Sequence, residues 1–89
     1  MITCRDDIQI PGIVTNEKDS CSIYIPDFKI TIHGGDFVEA LANAVLSASA
    51  IYYYNLDRNL RLKLDTTYQD ADAMCTKNNQ FATFVTLTA

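Results

Sequence analysis

The feature that most constrains this chain is a long stretch without charge. From Ala40 to Leu56 the sequence reads ALANAVLSASAIYYYNL, with no Asp, Glu, Lys or Arg. Phe37, Leu41, Ala44, Val45, Ala48, Ile51 and Tyr52 recur at three- and four-residue spacings and share one face of a helix. The start of that helix is marked. Gly34-Gly35 turns the chain, Asp36 is a good N-cap, and Glu39 stands three residues on in a capping-box pattern. Both carboxylates also suit the positive end of the helix dipole. The spacing predicts a helix to about Tyr54. Its other face, with Ala40, Asn43, Leu46, Ser47, Ala50 and Tyr54, is small, apolar or neutral where a surface helix usually carries Lys and Glu. Two covered sides are therefore expected, one on a sheet and one on a second chain or the C-terminal segment. The uncharged stretch contains Asn43, Ser47, Ser49 and Asn55 and is too short for a bilayer span, so no membrane segment is expected.

Strands surround this helix. Ile8, Ile10 and Val14 alternate with Gln9, Pro11 and Thr15, which is the period of a half-buried strand, and Pro11 predicts an edge position. TNEKDS, Thr15 to Ser20, reads as a polar turn into a second strand, CSIYIP, forming a hairpin. Pro26-Asp27-Phe28 breaks that strand, and Phe28, Ile30 and Ile32 alternate with Lys29, Thr31 and His33 in a third. After the helix, Leu60, Leu62 and Leu64 alternate with Arg61, Lys63 and Asp65 as a short extended stretch. Thr67 is placed to cap a short helix, YQDADAMC, with Asp70 in its first turns. Asn78-Asn79 marks a turn before FATFVTLT, a strand rich in β-branched and aromatic residues. The predicted fold is α+β, an antiparallel sheet of βββαβ type on one main helix, in a single domain over residues 1–89.

Charge and cysteine usage narrow the function classes. The net charge is −4, and the basic residues are scattered apart from Arg58, Arg61 and Lys63. Direct nucleic-acid binding is not expected, because such domains show a basic patch. An acidic surface suits a basic partner, although the same charge also serves plain solubility. Cys4, Cys21 and Cys75 make an odd set without CxxC or CxxxH spacing, which argues against a disulfide framework and against zinc. A reducing, cytoplasmic setting fits, and the opening MITCRDDIQIPG has no apolar run of signal-peptide length.

No catalytic set is apparent. His33 is the only histidine, and Asp36 or Cys21 would have to serve it as partner. An exposed loop histidine and a packed cysteine are the plainer readings. Cys4 and Cys75 lack the basic neighbours of a reactive thiolate. HGGD precedes a helix and raises the question of an anion site, but Asp36 fills the cap and repels phosphate. Asp6, Asp7, Glu17 and Asp19 show no calcium-loop pattern. No cofactor or metal is expected.

IYIPDF, HGGDFVEALANA and the closing FATFVTLT together resemble the HicB family of antitoxins. Members typically run through P-D-L-P-G-C into T-x-G-D-T-x-E-E-A-L-x-N-A. Pro26-Asp27-Phe28 takes the P-D-L place. Gly34, Glu39, Ala40, Leu41, Asn43 and Ala44 match the glycine and the E-A-L-x-N-A core, with Asp36 in place of the capping threonine. The P-G-C turn is replaced by Lys29-Ile30-Thr31 in a shorter loop. The resemblance spans roughly Ile8 to Thr88 and implies a partial double-stranded-RNA-binding-like fold. It also implies a HicA-type toxin as partner, a small basic ribonuclease that cleaves messenger RNA and whose catalytic histidine the antitoxin covers. Many members continue into a DNA-binding domain. This sequence ends at Ala89, so operator binding is not carried over. Family members associate through this domain, which implies a homodimer or higher oligomer.

Three readings follow: a toxin-neutralising HicB-like antitoxin, a solitary HicB-like homo-oligomeric scaffold or regulator, and a small enzyme built on His33. For a partner surface the candidates are Asp27 and the acids Asp6, Asp7 and Asp36, with Tyr24, Phe28 and Tyr53 as aromatic anchors.

Overall fold

A computed structural model describes residues 8–58 and 64–87 of the chain. Its elements run β1 (Ile8–Asn16), β2 (Cys21–Ile25), β3 (Ile30–Gly34), α1 (Phe37–Asp57), α2 (Tyr68–Met74) and β4 (Gln80–Leu87). The four strands form one antiparallel sheet in the order β3-β2-β1-β4. This is the α+β arrangement expected, with α2 before the last strand. Leu60, Leu62, Arg61 and Lys63 lie outside the described residues, as do Cys4, Asp6 and Asp7; Leu64 to Thr67 is irregular backbone.

Strand alternation sorts the sheet into two faces. Cross-strand partners point the same way, so the pairs Val14↔Ile23, Ile23↔Ile32 and Ile10↔Val85 place Ile10, Val14, Ile23, Ile32 and Val85 together. This face meets α1. The core there comprises Ile10, Val14, Cys21, Ile23, Ile25, Val85 and Leu87 from the strands and Ala40, Ala44 and Ala48 from the helix. Each fully buried Ile, Val or Leu contributes roughly 1.5–3 kcal/mol.

α1 meets the sheet through small residues, and Gly34 lets it begin close in. A Cβ on Gly34 would lie 2.4 Å from the Ala40 nitrogen and 2.7 Å from its Cα. Ala40 is fully buried as a result. That corrects its expected place on the outer face: the inner stripe is Ala40, Ala44 and Ala48, and Phe37, Leu41, Val45 and Tyr52 pack along its flank. The expected cap is present. The Asp36 carboxylate accepts from the Glu39 amide at 2.8 Å. The Glu39 carboxylate reaches one residue further back than in a capping box and accepts from the Gly35 amide at 2.8 Å.

Pro11 does not sit on an edge strand, because β1 lies inside the sheet with β4 beyond it. The reason Pro11 is tolerated is local. β1 pairs with β2 only from Ile13 to Asn16, whereas its pairing with β4 runs from Ile8 to Thr15. The half of β1 that holds Pro11 therefore has a partner on one side only, and a missing N–H leaves no gap on the β2 side.

The opposite face of the sheet carries a smaller cluster. Ile13, Ala71 and Ala82 are buried there with Cys75 packed against them, and α2 lies over β1 and β4. The chain thus places its two helices on opposite faces. The passage between them is held by Asp27, whose Oδ1 accepts from the Thr66 amide at 3.0 Å. A full capping box starts α2: Thr67 Oγ1 accepts from the Asp70 amide at 3.0 Å, and Asp70 Oδ2 accepts from the Thr67 amide at 3.1 Å.

Candidate protein-binding surface

The face that α2 only partly covers is the strongest candidate surface. Register puts Tyr24 of β2 opposite Ile13 of β1, and Ile13 opposite Ala82 of β4. One step along, Pro11 is opposite Phe84. Tyr24 and Phe84 thus stand on one face, two strand spacings across and two residues along, roughly 12 Å apart, with buried Ile13 and Pro11 between them. Tyr68, at the start of α2, stacks on Phe84 with ring centroids 5.0 Å apart and planes inclined by 31°. The Tyr68 hydroxyl donates to the Ala82 carbonyl at 3.3 Å, which holds the ring in place. Tyr24, Tyr68 and Phe84 all remain exposed.

Acidic residues flank Tyr68 in the sequence. Asp65, Asp70 and Asp72 lie exposed along the approach to α2 and on the helix itself. An aromatic centre with a charged rim is a common build for a protein interface: rings supply contact area with few rotatable bonds, and rim charges steer encounter. The sign of the exposed charges around α2 favours a cationic partner.

The five expected partner residues do not gather into one site. Tyr24 belongs to the surface just described. Phe28 turns the other way and packs against the core beneath α1. Asp27 is occupied with Thr66, and its Oδ2 is buried without a hydrogen-bond partner among the described residues. Asp36 is committed to capping α1 at that helix's start. Tyr53 is in the last turns of α1, edge-on to Tyr52 at 5.1 Å. Phe84 and Tyr68 were not among the expected anchors. The signal for Phe84 lies in FATFVTLT, where Phe81, Val85 and Leu87 alternate with Ala82, Phe84 and Thr86. That alternation reveals two faces, but it does not reveal that a second helix shields one of them incompletely.

The His33–Cys21 pairing loses its geometry. Cys21 pairs with Gly34, and Ser22 with His33, so the Cys21 and His33 side chains lie on opposite faces of the sheet. The His33 carbonyl accepts from the Asn43 side-chain amide at 3.0 Å, a tether between β3 and α1. Cys21 is buried in the core, and burial, then the nearby Asp36 charge, push its thiol pKa up. Burial and then Asp72 raise that of Cys75, whose thiol donates to the Ala71 carbonyl at 3.3 Å. Raised thiols are poor nucleophiles at neutral pH. No three His, Cys, Asp or Glu side chains come together as a metal site among the described residues, and no helix there is long and apolar enough to cross a membrane.

Comparison of the chain with protein-family models, with curated proteins and with solved structures gives no match.

Proposed function

We propose that this chain is a HicB-like antitoxin, a cytoplasmic binding protein that neutralises a small basic HicA-type ribonuclease by covering its active site. The observation that carries the reading is the exposed aromatic surface of Tyr24, Tyr68 and Phe84, with the exposed acids Asp65, Asp70 and Asp72 on α2 and just before it. A messenger-RNA-cleaving toxin presents cationic groups for its phosphate substrate. An acidic, ring-bearing surface competes for those groups and excludes water around them. Further support comes from the PDF…GGDFVEALANA motifs and from the order of strands and main helix that the resemblance implies. In this reading the chain performs no catalysis, holds no cofactor and makes no direct contact with nucleic acid.

A second reading is favoured by one observation of its own. The outer side of α1 is exposed and apolar over most of its length, which fits a solitary homo-oligomeric scaffold or regulator with no toxin partner.

The test is purification of the tagged chain from its native cells, followed by an RNA-cleavage assay on whatever separates from it. The expected result is a small basic protein that cleaves messenger RNA alone and stops when the chain is returned in equimolar amount. Tyr24→Ala and Phe84→Ala each weaken that inhibition about tenfold or more, the usual effect of removing an interface anchor. Recovery of a ribonuclease that the chain does not inhibit, or of the chain alone as an oligomer, overturns the antitoxin reading.

A further inference from the structure

We infer that the outer edge of β4 is a strand-docking site, which takes an extended basic segment of a partner protein through backbone hydrogen bonds between Ala82 and Thr86. The inference rests on the protein-binding part of the reading above and not on the partner's being a ribonuclease.

The ladder fixes which backbone groups face outward. The Asn16 amide donates to the Asn79 carbonyl at 2.8 Å, and the same register continues from Thr15↔Gln80 to Ile8↔Leu87. Antiparallel ladders alternate bonded and non-bonded pairs. Phe81, Thr83, Val85 and Leu87 therefore turn their N–H and C=O groups to β1, and Ala82, Phe84 and Thr86 turn theirs away from it. Two observations agree. Pro11, which has no N–H, falls opposite Phe84 in a non-bonded pair, and the Tyr68 hydroxyl reaches the Ala82 carbonyl at 3.3 Å, an oxygen that the ladder leaves free. β4 is the last strand of the sheet. The Ala82 amide, and both backbone groups of Phe84 and of Thr86, meet no partner among the described residues. Tyr68 closes the row at its Ala82 end, and the row is open from there to Thr86.

Nothing in β4 itself defends this edge. Exposed edges are ordinarily blunted by brevity, charge, proline or a bulge. β4 is eight residues long, reads QFATFVTL without a charge or a proline, and keeps unbroken register with β1. Alternating donors and acceptors at strand spacing are matched by one kind of ligand, an extended polypeptide backbone. Side chains set its composition. Residues of the added strand that bond to Phe84 stand beside the exposed Phe84 ring on the α2 face, where a β-branched residue pairs well with an aromatic one.

Charge selects the occupant. Asp65, Asp70 and Asp72 are exposed on α2 and just before it. On the other face Phe37 contacts Phe81 of β4, with ring centroids 5.5 Å apart, which brings the start of α1 to this strand with exposed Asp36 and Glu39. Lys77, in the turn before β4, is the one opposing charge in these segments. A second copy of the chain, itself at −4, is repelled, whereas a basic segment is attracted.

Nuclear magnetic resonance titration of the isotope-labelled full chain tests this, with a synthetic peptide of about eight residues that alternates valine and lysine and is blocked at both ends. The amides of Ala82, Phe84 and Thr86 are expected to shift and to slow in hydrogen exchange by about tenfold or more at saturation. Those of Thr83 and Val85, already bonded to β1, are expected to change little in exchange. Methylation of the valine amides is expected to abolish binding, because valines beside Phe84 turn their N–H groups to β4. Methylation of the lysine amides, which face away, is expected to retain it. The same peptide with glutamate for lysine is expected to bind about tenfold or more weakly. Thr86→Pro removes an outward N–H and no ladder bond, so it is expected to weaken the peptide about tenfold or more with an unchanged far-ultraviolet circular dichroism spectrum. Should that variant disturb folding, the two methylated peptides decide on the wild-type chain alone. No shift of these amides at millimolar peptide, or equal binding of both methylated peptides, overturns the inference. So does a dilution series without peptide in which the same amides move with protein concentration, which would give the edge to a second copy. An edge that ignores the peptide in a chain that still inhibits a recovered ribonuclease sinks this inference and leaves the antitoxin reading standing. An edge that binds the peptide in a chain from which no ribonuclease is recovered does the reverse.

Discussion

Lys29 is the one non-glycine residue with positive φ among those described, at 56°. It closes the turn between β2 and β3, where its amide donates to the Ile25 carbonyl at 2.7 Å and the Phe28 amide to the same oxygen at 3.2 Å. An L-residue bears roughly 1–2 kcal/mol in the left-handed region, and glycine bears little of it. Lys29→Gly is therefore expected to raise stability by up to about 1 kcal/mol, after the greater flexibility of glycine in the unfolded chain is set against the relief. A urea midpoint that falls on this change would show that the Lys29 side chain holds the turn in another way. Cys21 gives a prediction in pH. An unfolded thiol titrates near 9.0, while the folded Cys21 and Cys75 thiols titrate above that value. Between the two, the unfolded chain has released protons that the folded chain retains, so stability falls as pH rises past 9. It is undiminished by these groups below that. Urea midpoints measured from about pH 7 to 10 are expected to decline less steeply in Cys75→Ala than in the wild-type chain. An identical slope would mean that other groups cause the decline.

At the scale of elements, local chemistry was the readable part. Asp36 and Glu39 marked the start of α1, and Thr67 and Asp70 marked that of α2. In each case a side-chain oxygen meets a free amide three residues away, and no distant contact is needed. Asp36→Ala removes the cap of the helix that covers the main core, and its expected cost is about 1 kcal/mol; Asp36→Asn is expected to recover most of it. Equal losses in both variants would show that charge at the helix dipole, and not the capping bond, is what matters. Two readings failed at this scale, and both failed for tertiary reasons. Pro11 predicted an edge because proline lacks a donor, but the strand is short of a partner along only part of one side. Ala40 was assigned outward because a small residue carries little periodic signal. What buries it is the absence of a side chain at Gly34, which draws the helix start against β3. The expected surface residues scattered for a similar reason. Asp27 was taken as a charge for a partner but accepts from the Thr66 amide, and Asp36, read both as a cap and as a partner charge, is held at the cap.

The whole molecule is a sheet with unequal cover, and this was the part hardest to read in the sequence. A strand's alternation states that it has two faces, but not how much apolar area another element places on each. α1 closes its face with a broad core, whereas α2 has seven residues and buries only Ala71 against Ile13 and Ala82. A helix this short does not persist in water by itself. Its order rests on its capping box, on the Tyr68–Phe84 stack and on one small cluster. α2 should therefore open locally at lower free energy than the sheet and α1. In native-state hydrogen exchange, the Ala71 amide, bonded to the Thr67 carbonyl at 3.1 Å, is expected to exchange through a local opening that responds weakly to denaturant. Amides of β1 that pair with β4 are expected to follow global unfolding. Thr67→Ala should speed exchange in α2 severalfold and leave the β1 amides nearly unchanged. If α2 exchanges with the same free energy and denaturant dependence as β1, the two faces form one cooperative unit and this account of their inequality is wrong. The distinction reaches function, because Tyr68, Asp70 and Asp72 travel with α2. When α2 opens, the candidate surface loses one of its three rings, and two exposed acids move with it. A change such as Thr67→Ala, which touches none of the surface side chains, should then weaken binding of a basic partner in proportion to the population in which α2 is open.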